Sequence, residues 1–441
     1  MPRPRSLARD RNFLIFWAGQ TFAVLGDAFA LVAVPLLVLE ATGSVARMGQ
    51  ITAVNGAGAL LAGLVAGPLV DRLDRRRLMI WCDLGRVVAY GLVPLGWWLL
   101  HEPLWLLYVL AFVAAAFAMV FGVGYVTAIA NLVDRDRIIE ANGRLQTTFA
   151  LSFVVGPLLA GVLFHRFGAG AILLTAGAYG ISAITLSFVR LRRAAAARHH
   201  GAAGGHLAGF RFLWREPFFR ALSLLFGAFA LLSTGTLDLM IFHIREDLCG
   251  SDNTVGLVFG IAAVGSILGG LLVGRLRRRW GFGPIFAGGL ILEGLAVVVI
   301  GLAEAIVLVG LVAIAFTFAE NVRGITTMST RQELTPDHLL GRVTAAFWLA
   351  FSAPGPLGAA LVTAAGERYG APTALVGVGV VAIGIGAVTF LTPAGERRPR
   401  LARSYGSPSE PASFETLPAG EGISRTGATS DLEVPSIPGH R

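Results

Sequence analysis

The chain has 441 residues, 55% of them hydrophobic and only 14% charged, and its mean hydropathy is +0.70. Soluble domains carry about 25% charged residues, so a water-soluble enzyme is excluded, as is disorder over most of the length. The net charge of +9 is carried by arginine alone. These arginines stand in short clusters between apolar stretches, which argues against nucleic acid as a partner.

Residues 1–11 are basic and lead into an apolar stretch with no small-residue cleavage site, so that stretch is expected to stay as a membrane helix. A helix crosses hydrocarbon with about 20 apolar residues. The runs here are continuous, so an all-α membrane protein is expected, not a barrel. Twelve spans follow, at 12–38, 45–69, 78–99, 104–130, 143–164 and 169–190, then 219–244, 254–274, 283–302, 306–329, 343–364 and 371–391. The expected organisation is a six-helix bundle at 1–190, a cytoplasmic linker at 191–217, a second six-helix bundle at 218–393, and a tail at 394–441. Within the linker, 210–214 is expected to form a short surface helix. The tail is rich in Ser, Gly, Pro and Glu and is expected to be disordered.

Loops on one side hold 30 of the 36 arginines; the other side holds Arg47, Arg166, Arg245 and Arg368, and Arg86 and Arg323 fall inside spans. By the positive-inside rule the arginine-rich side is cytoplasmic, with both termini on it, in a multi-pass protein of the cell membrane. Cys82 and Cys249 are far apart and make no metal-ligand or disulfide spacing. His165 and His243 are expected in wet loops on the far side.

The halves repeat one another. Ala41-Thr42-Gly43-Ser44 before the second span matches Leu248-Cys249-Gly250-Ser251 before the eighth, with Gly49 and Gly256 at the same offset. Gly156-Pro157-Leu158 in the fifth span matches Gly355-Pro356-Leu357 in the eleventh. Such repeats are common in transporters, with the substrate site between them near the midplane.

After the second span stands Gly67-Pro68-Leu69-Val70-Asp71-Arg72-Leu73-Asp74-Arg75-Arg76-Arg77. This resembles the hallmark loop of the major facilitator superfamily, Gly-x-x-x-Asp-Arg followed by basic residues. Gly67 would permit close helix approach, Asp71 would cap or pair with a helix end, and Arg72, Arg75 and Arg76 would hold the loop on the cytoplasmic side. Gly156-Pro157 with Gly161 resembles the Gly-Pro motif of the family's antiporters, which is associated with export. Gly26-Asp27, Asp83-Leu84-Gly85-Arg86 and Asn131-Leu132-Val133 are similar to the branch that includes macrolide-efflux proteins and the enterobactin exporter. The resemblance implies two pseudo-symmetric six-helix bundles working by alternating access. Many proton antiporters of the family carry an Arg in the fourth helix; this sequence has none there.

Ionisable groups inside hydrocarbon are costly and mark function. Asp27 lies 14 residues after Phe13, about 21 Å along a helix, too deep to reach the arginine-rich surface. It is the expected proton-coupling carboxylate. Gln20, seven residues earlier on the same face, is expected to line a central cavity with it. Asn55, Thr234 and Asn321 are further cavity candidates, as is Asp238, one turn after Thr234, where a solvated position near the far rim is expected. Glu293 sits mid-span. Asp83 with Arg86, and Glu320 with Arg323, stand three apart and can pair on one helix face; gating pairs that break between states are expected.

The function expected is secondary active export of a hydrophobic or amphipathic organic molecule, such as a drug of the macrolide kind or a siderophore, in exchange for protons. The partners expected are a small-molecule substrate, protons and the bilayer, for a chain acting as a monomer. No cofactor or metal is expected, and a chain without lysine has no Walker lysine for ATP. The alternatives are an uptake symporter and a non-transporting membrane sensor or scaffold.

Overall fold

The computed structural model describes residues 10–100, 103–133, 137–190, 207–336 and 339–401. Asp10 caps the first helix, α1 (Arg11–Thr42), by accepting from the amides of Asn12 and Phe13 at 3.0 and 3.2 Å. Gly43, at φ +61°, ends it in the left-handed conformation that glycine adopts without strain. Ser44 then caps α2 (Val45–Arg72), and α3 (Arg75–Leu100) and α4 (Leu104–Leu132) follow.

Helices α5 (Ile138–Phe167) and α6 (Leu173–Phe188) flank α1 on opposite courses. Trp17 bonds Thr148, and Ala28 abuts Gly156, so α5 runs with α1. Gln20 bonds Ser182, and Asn12 bonds Arg190, so α6 runs against it. The chain reverses at a 3-10 turn, Gly168–Ile172, opened by Gly168 at φ +50°. The described residues hold eleven helical runs long and apolar enough to cross a membrane. One of them, Glu140–Phe188, contains this reversal, so the crossings number twelve, as expected.

The expected surface helix forms as α7 (Leu207–Arg215), with Phe212 and Leu213 turned inward. The seventh crossing is broken. It consists of α8 (Pro217–Ser233), a turn at Thr234-Gly235, α9 (Thr236–Phe242) and a π turn at His243–Asp247. Then come α10 (Asp252–Trp280), α11 (Phe282–Gly301) and α12 (Ile306–Leu334). The eleventh crossing is broken too, into α13 (Leu340–Ser352) and α14 (Gly355–Tyr369), before α15 (Ala371–Thr389) ends the bundle.

The repeated Gly-Ser before α2 and α10 caps both helices, with a shift. Ser251 caps α10 in a reciprocal capping box with Thr254. The left-handed residue before it is Cys249 (φ +52°), although Gly250 is the counterpart of Gly43. The π turn inserts an extra residue, and Gly250 instead returns its N–H to the Ile244 carbonyl at 2.8 Å. His243, expected in a wet loop, is buried and bonded to Asp247 at 2.8 Å. Residues 394–401 belong to the stretch expected to be disordered; Phe282 and Gly283 donate to the carbonyls of Arg397 and Glu396 at 2.9 and 3.0 Å, which anchors this part. Residues 402–441 lie outside the described residues.

Two long helix seams join the halves, α2 with α14 and α5 with α10, and shorter contacts tie α9 to α1 and α2. The α5–α10 seam is built on absent side chains: a Cβ on Gly161 would lie 2.5 Å from the Asp252 carbonyl oxygen, and one on Gly256 2.6 Å from that of Pro157. At the arginine-poor end one apolar core runs through both halves, from Leu36 and Val45 to Ile241, Val255 and Leu375. At the other end the first half has a core of its own, around Phe13, Met79 and Leu186. The halves are thus packed together at the arginine-poor end. Glu367 of α14 tightens that end by accepting from Ser44 Oγ and the Ala46 amide at the start of α2, at 3.0 and 3.2 Å, a favourable place for a carboxylate.

Candidate functional site

A cavity of about 580 Å³ opens between α1, α2, α3, α4, α6 and the break in the seventh crossing. Its walls are largely apolar, with Leu31, Val34, Val93, Leu107 and Leu110 among them. That is the usual make-up of a small-molecule site, with a few placed polar groups fixing orientation. Among the described residues, its charged lining consists of Asp27, Arg86 and Asp238.

Asp27 faces this space with 46% of its side chain exposed. The Tyr179 hydroxyl donates to its Oδ1 at 2.5 Å, and Arg86 Nη1 lies 3.7 Å from the same oxygen. Arg86 is itself buried. It bonds Asp83 one turn earlier on α3, and its guanidinium lies over the rings of Tyr179 and Phe121, 4.0 and 4.7 Å from their centres. The expected Asp83–Arg86 pair therefore exists, but as part of the Asp27 cluster. One guanidinium serves two carboxylates, one wholly buried and one open to the cavity. It stands on the third helix, over Phe121 of the fourth.

Asp238 is a correction. Expected on a solvated rim, it is 1% exposed. Thr52 of α2 donates to its Oδ2 at 2.7 Å, a hydrogen bond between the two halves, and its Oδ1 has no hydrogen-bond partner among the described residues. The break at Thr234-Gly235 puts it there. Interrupted helices at the midplane are where transporters place binding groups, and Thr234 and Asn55 line the same cavity. Gln20 does not line it. It is 3% exposed and bonded to Ser182 of α6 at 3.3 Å, because α6 covers that turn of α1. Asn321 is also elsewhere, packed on Gly269 of α10.

Arg323 pairs differently from the expectation. Its Nε and Nη2 donate to both carboxylate oxygens of Glu293 on α11, at 2.8 and 3.1 Å, under the rings of Phe226 and Phe229. Glu320, on its own helix, is exposed. A bidentate buried pair of this kind is strongly destabilised when one partner is removed, by about 3–5 kcal/mol. Glu293→Ala should therefore lower the melting temperature of the purified protein sharply, and Glu320→Ala should change it little. Equal melting of the two variants would contradict the pairing.

Of the hallmark stretch, Gly67 and Asp71 fall in the last turns of α2, and their surroundings lie outside the described residues. Arg72 is exposed in the last turn of α2, and Arg75 opens α3. Arg76 ties the start of α3 to the end of α6 through the carbonyls of Leu186 (2.9 Å) and Ser187. In the export motif, Gly156 lets α5 approach Ala28 of α1 while Gly161, one turn after Pro157, lies on the seam between halves. Tyr179, Phe121 and Thr52 were missed by sequence reasoning. The available signal was charge: an arginine inside a span needs acids and rings from other helices.

The family model of the Major Facilitator Superfamily matches residues 16–359. The multidrug efflux pump Tap of Mycolicibacterium fortuitum is 26% identical over 406 residues, 87% of this chain and 96% of that protein. The enterobactin exporter EntS of Citrobacter koseri is 27% identical over 371 residues, covering 80% of this chain and 85% of its own length. Macrolide efflux protein A of Streptococcus pyogenes is 24% identical over 386 residues, 81% and 90%. Among solved structures, a point mutant of the nucleoside transporter NupG superposes with a TM-score of 0.73 at 12% identity, covering 86% of this chain and 100% of that one. A bacterial homolog of the human lysosomal transporter Spinster does so with 0.70 at 15%, covering 88% and 97%. These likenesses confirm the fold.

Proposed function

This chain belongs to the Major Facilitator Superfamily, a multi-pass membrane transporter and not an enzyme, and from that premise we propose that it exports an amphipathic organic molecule across the cell membrane in exchange for protons. The observation that carries the reading is Asp27, an acid on the first helix that faces the cavity and shares one arginine with a buried acid. The efflux roles that Tap, EntS and macrolide efflux protein A are named for support the direction. With the arginine-rich end in the cytoplasm, the shared core at the other end makes this the state closed to the outside.

Coupling follows from the charges. An ionised Asp27 pulls on Arg86 against Asp83; a protonated Asp27 releases it. The proton thus chooses how Arg86 is held between α1 and α3, and a ligand in the cavity meets one arrangement or the other. Differential binding to two states is what drives a transport cycle.

The test is transport in proteoliposomes with labelled erythromycin and a catecholate siderophore as cargoes. An acidic lumen should drive accumulation of a transported cargo, and Asp27→Asn should remove the dependence on the gradient. Accumulation indifferent to the gradient, or to Asp27→Asn, sinks the coupling.

A further inference from the structure

We propose that Asp238 is the counter-ion for a positively charged group of the transported molecule, so that the cargo is an amphipathic organic cation. This rests on the exporter reading above and names its substrate class.

The argument is a charge count on the cavity. Asp27 and Asp83 share Arg86, within 3.7 Å of one and hydrogen-bonded to the other. Among the described residues, Asp238 has no cation beside it. Its contact is the Thr52 hydroxyl on Oδ2, and Oδ1 is left without a partner there, in a wall otherwise formed by residues such as Leu237, Leu31 and Val34. An isolated carboxylate in apolar surroundings is costly unless a charge arrives to meet it. The apolar walls favour the hydrocarbon body of a ligand, and the free oxygen favours its cationic end. A small hydrated ion would waste the apolar lining, and an anion would face Asp27 and Asp238 with only Arg86, already held by Asp27 and Asp83, to meet it.

The position also links binding to movement. Asp238 stands on α9, beside the break at Thr234-Gly235, and its second oxygen holds α2 of the other half. A cation on Oδ1 therefore sits at a bond that joins the halves. With a proton on Asp27 and a cation at Asp238, the cavity would exchange one positive charge for another.

The experiment uses tetraphenylphosphonium and tetraphenylborate, matched in size and opposite in charge, titrated onto the full chain in nanodiscs by calorimetry. The phosphonium should bind and the borate should not. Asp238→Asn still accepts from Thr52, so the fold is kept, and it should weaken phosphonium binding by about tenfold or more. Asp238→Glu and Thr52→Val should keep the preference for the cation. Equal binding of both probes or unchanged affinity in Asp238→Asn overturns the proposal. Phosphonium binding through Asp238 without gradient-driven transport would sink the exporter reading alone. Gradient-driven export with phosphonium affinity indifferent to Asp238 would sink this inference alone.

Discussion

Arg86→Gln is expected to cost about 3–5 kcal/mol of stability and to abolish gradient-driven transport. Arg86 is 2% exposed and Asp83 0% exposed, so removing the guanidinium leaves a carboxylate in apolar surroundings with its charge unmet. The stacking of the guanidinium on Tyr179 and Phe121 goes with it. The stability and transport effects separate in a double variant. Asp83→Asn with Arg86→Gln removes the buried charge along with its partner and should recover most of the melting temperature. It should not recover transport, because Asp27 then has no arginine to hold or release. Melting of Arg86→Gln at the temperature of the unmodified protein would mean that Arg86 compensates no buried charge. Transport restored in the double variant would mean that Arg86 is scaffolding alone.

The same cluster shows where the sequence could be read and where it could not. Hydropathy is local and additive, so the twelve crossings were legible, and the repeated Gly-Ser before the second and the eighth could be seen, though its capping role could not. The depth of Asp27 was legible as well, since residue count converts directly to rise along a helix. The partners were not. The i,i+3 rule sees one helix, and it found Asp83 for Arg86 but offered Glu320 for Arg323, whereas the structure supplies Glu293 from α11. Gln20 shares a face with Asp27, yet α6 covers the one and leaves the other open, a difference set by helix packing. Asp238 was misplaced because the Thr234-Gly235 break was not foreseen. The run Ser233-Thr234-Gly235-Thr236, four weak helix formers in a row, was the local hint, together with Pro354 and Gly355 at the matching break in the eleventh crossing.

Gly256→Leu should hold the two halves apart at the arginine-poor end. A Cβ at Gly256 would stand 2.6 Å from the Pro157 carbonyl oxygen and 3.0 Å from Gly161 Cα. Both obstacles are backbone, so no side-chain rotation relieves the contact, and α10 must move away from α5. Overpacking of this kind costs about 1–3 kcal/mol, and it falls on the state in which these helices touch. A bias of that size shifts a two-state equilibrium by about 5- to 150-fold. Gly256→Ala should act in the same direction with a smaller effect. Spin labels at Arg47→Cys and Arg368→Cys, on the starting turn of α2 and the final turn of α14, report the separation directly once Cys249, the exposed native thiol, is replaced by Ser. The distance distribution should move to longer values in Gly256→Leu, and transport should fall with it. An unchanged distribution would show that the α5–α10 seam does not hold this end shut, and the weight would pass to α2 with α14, where Glu367 accepts from Ser44 and the Ala46 amide.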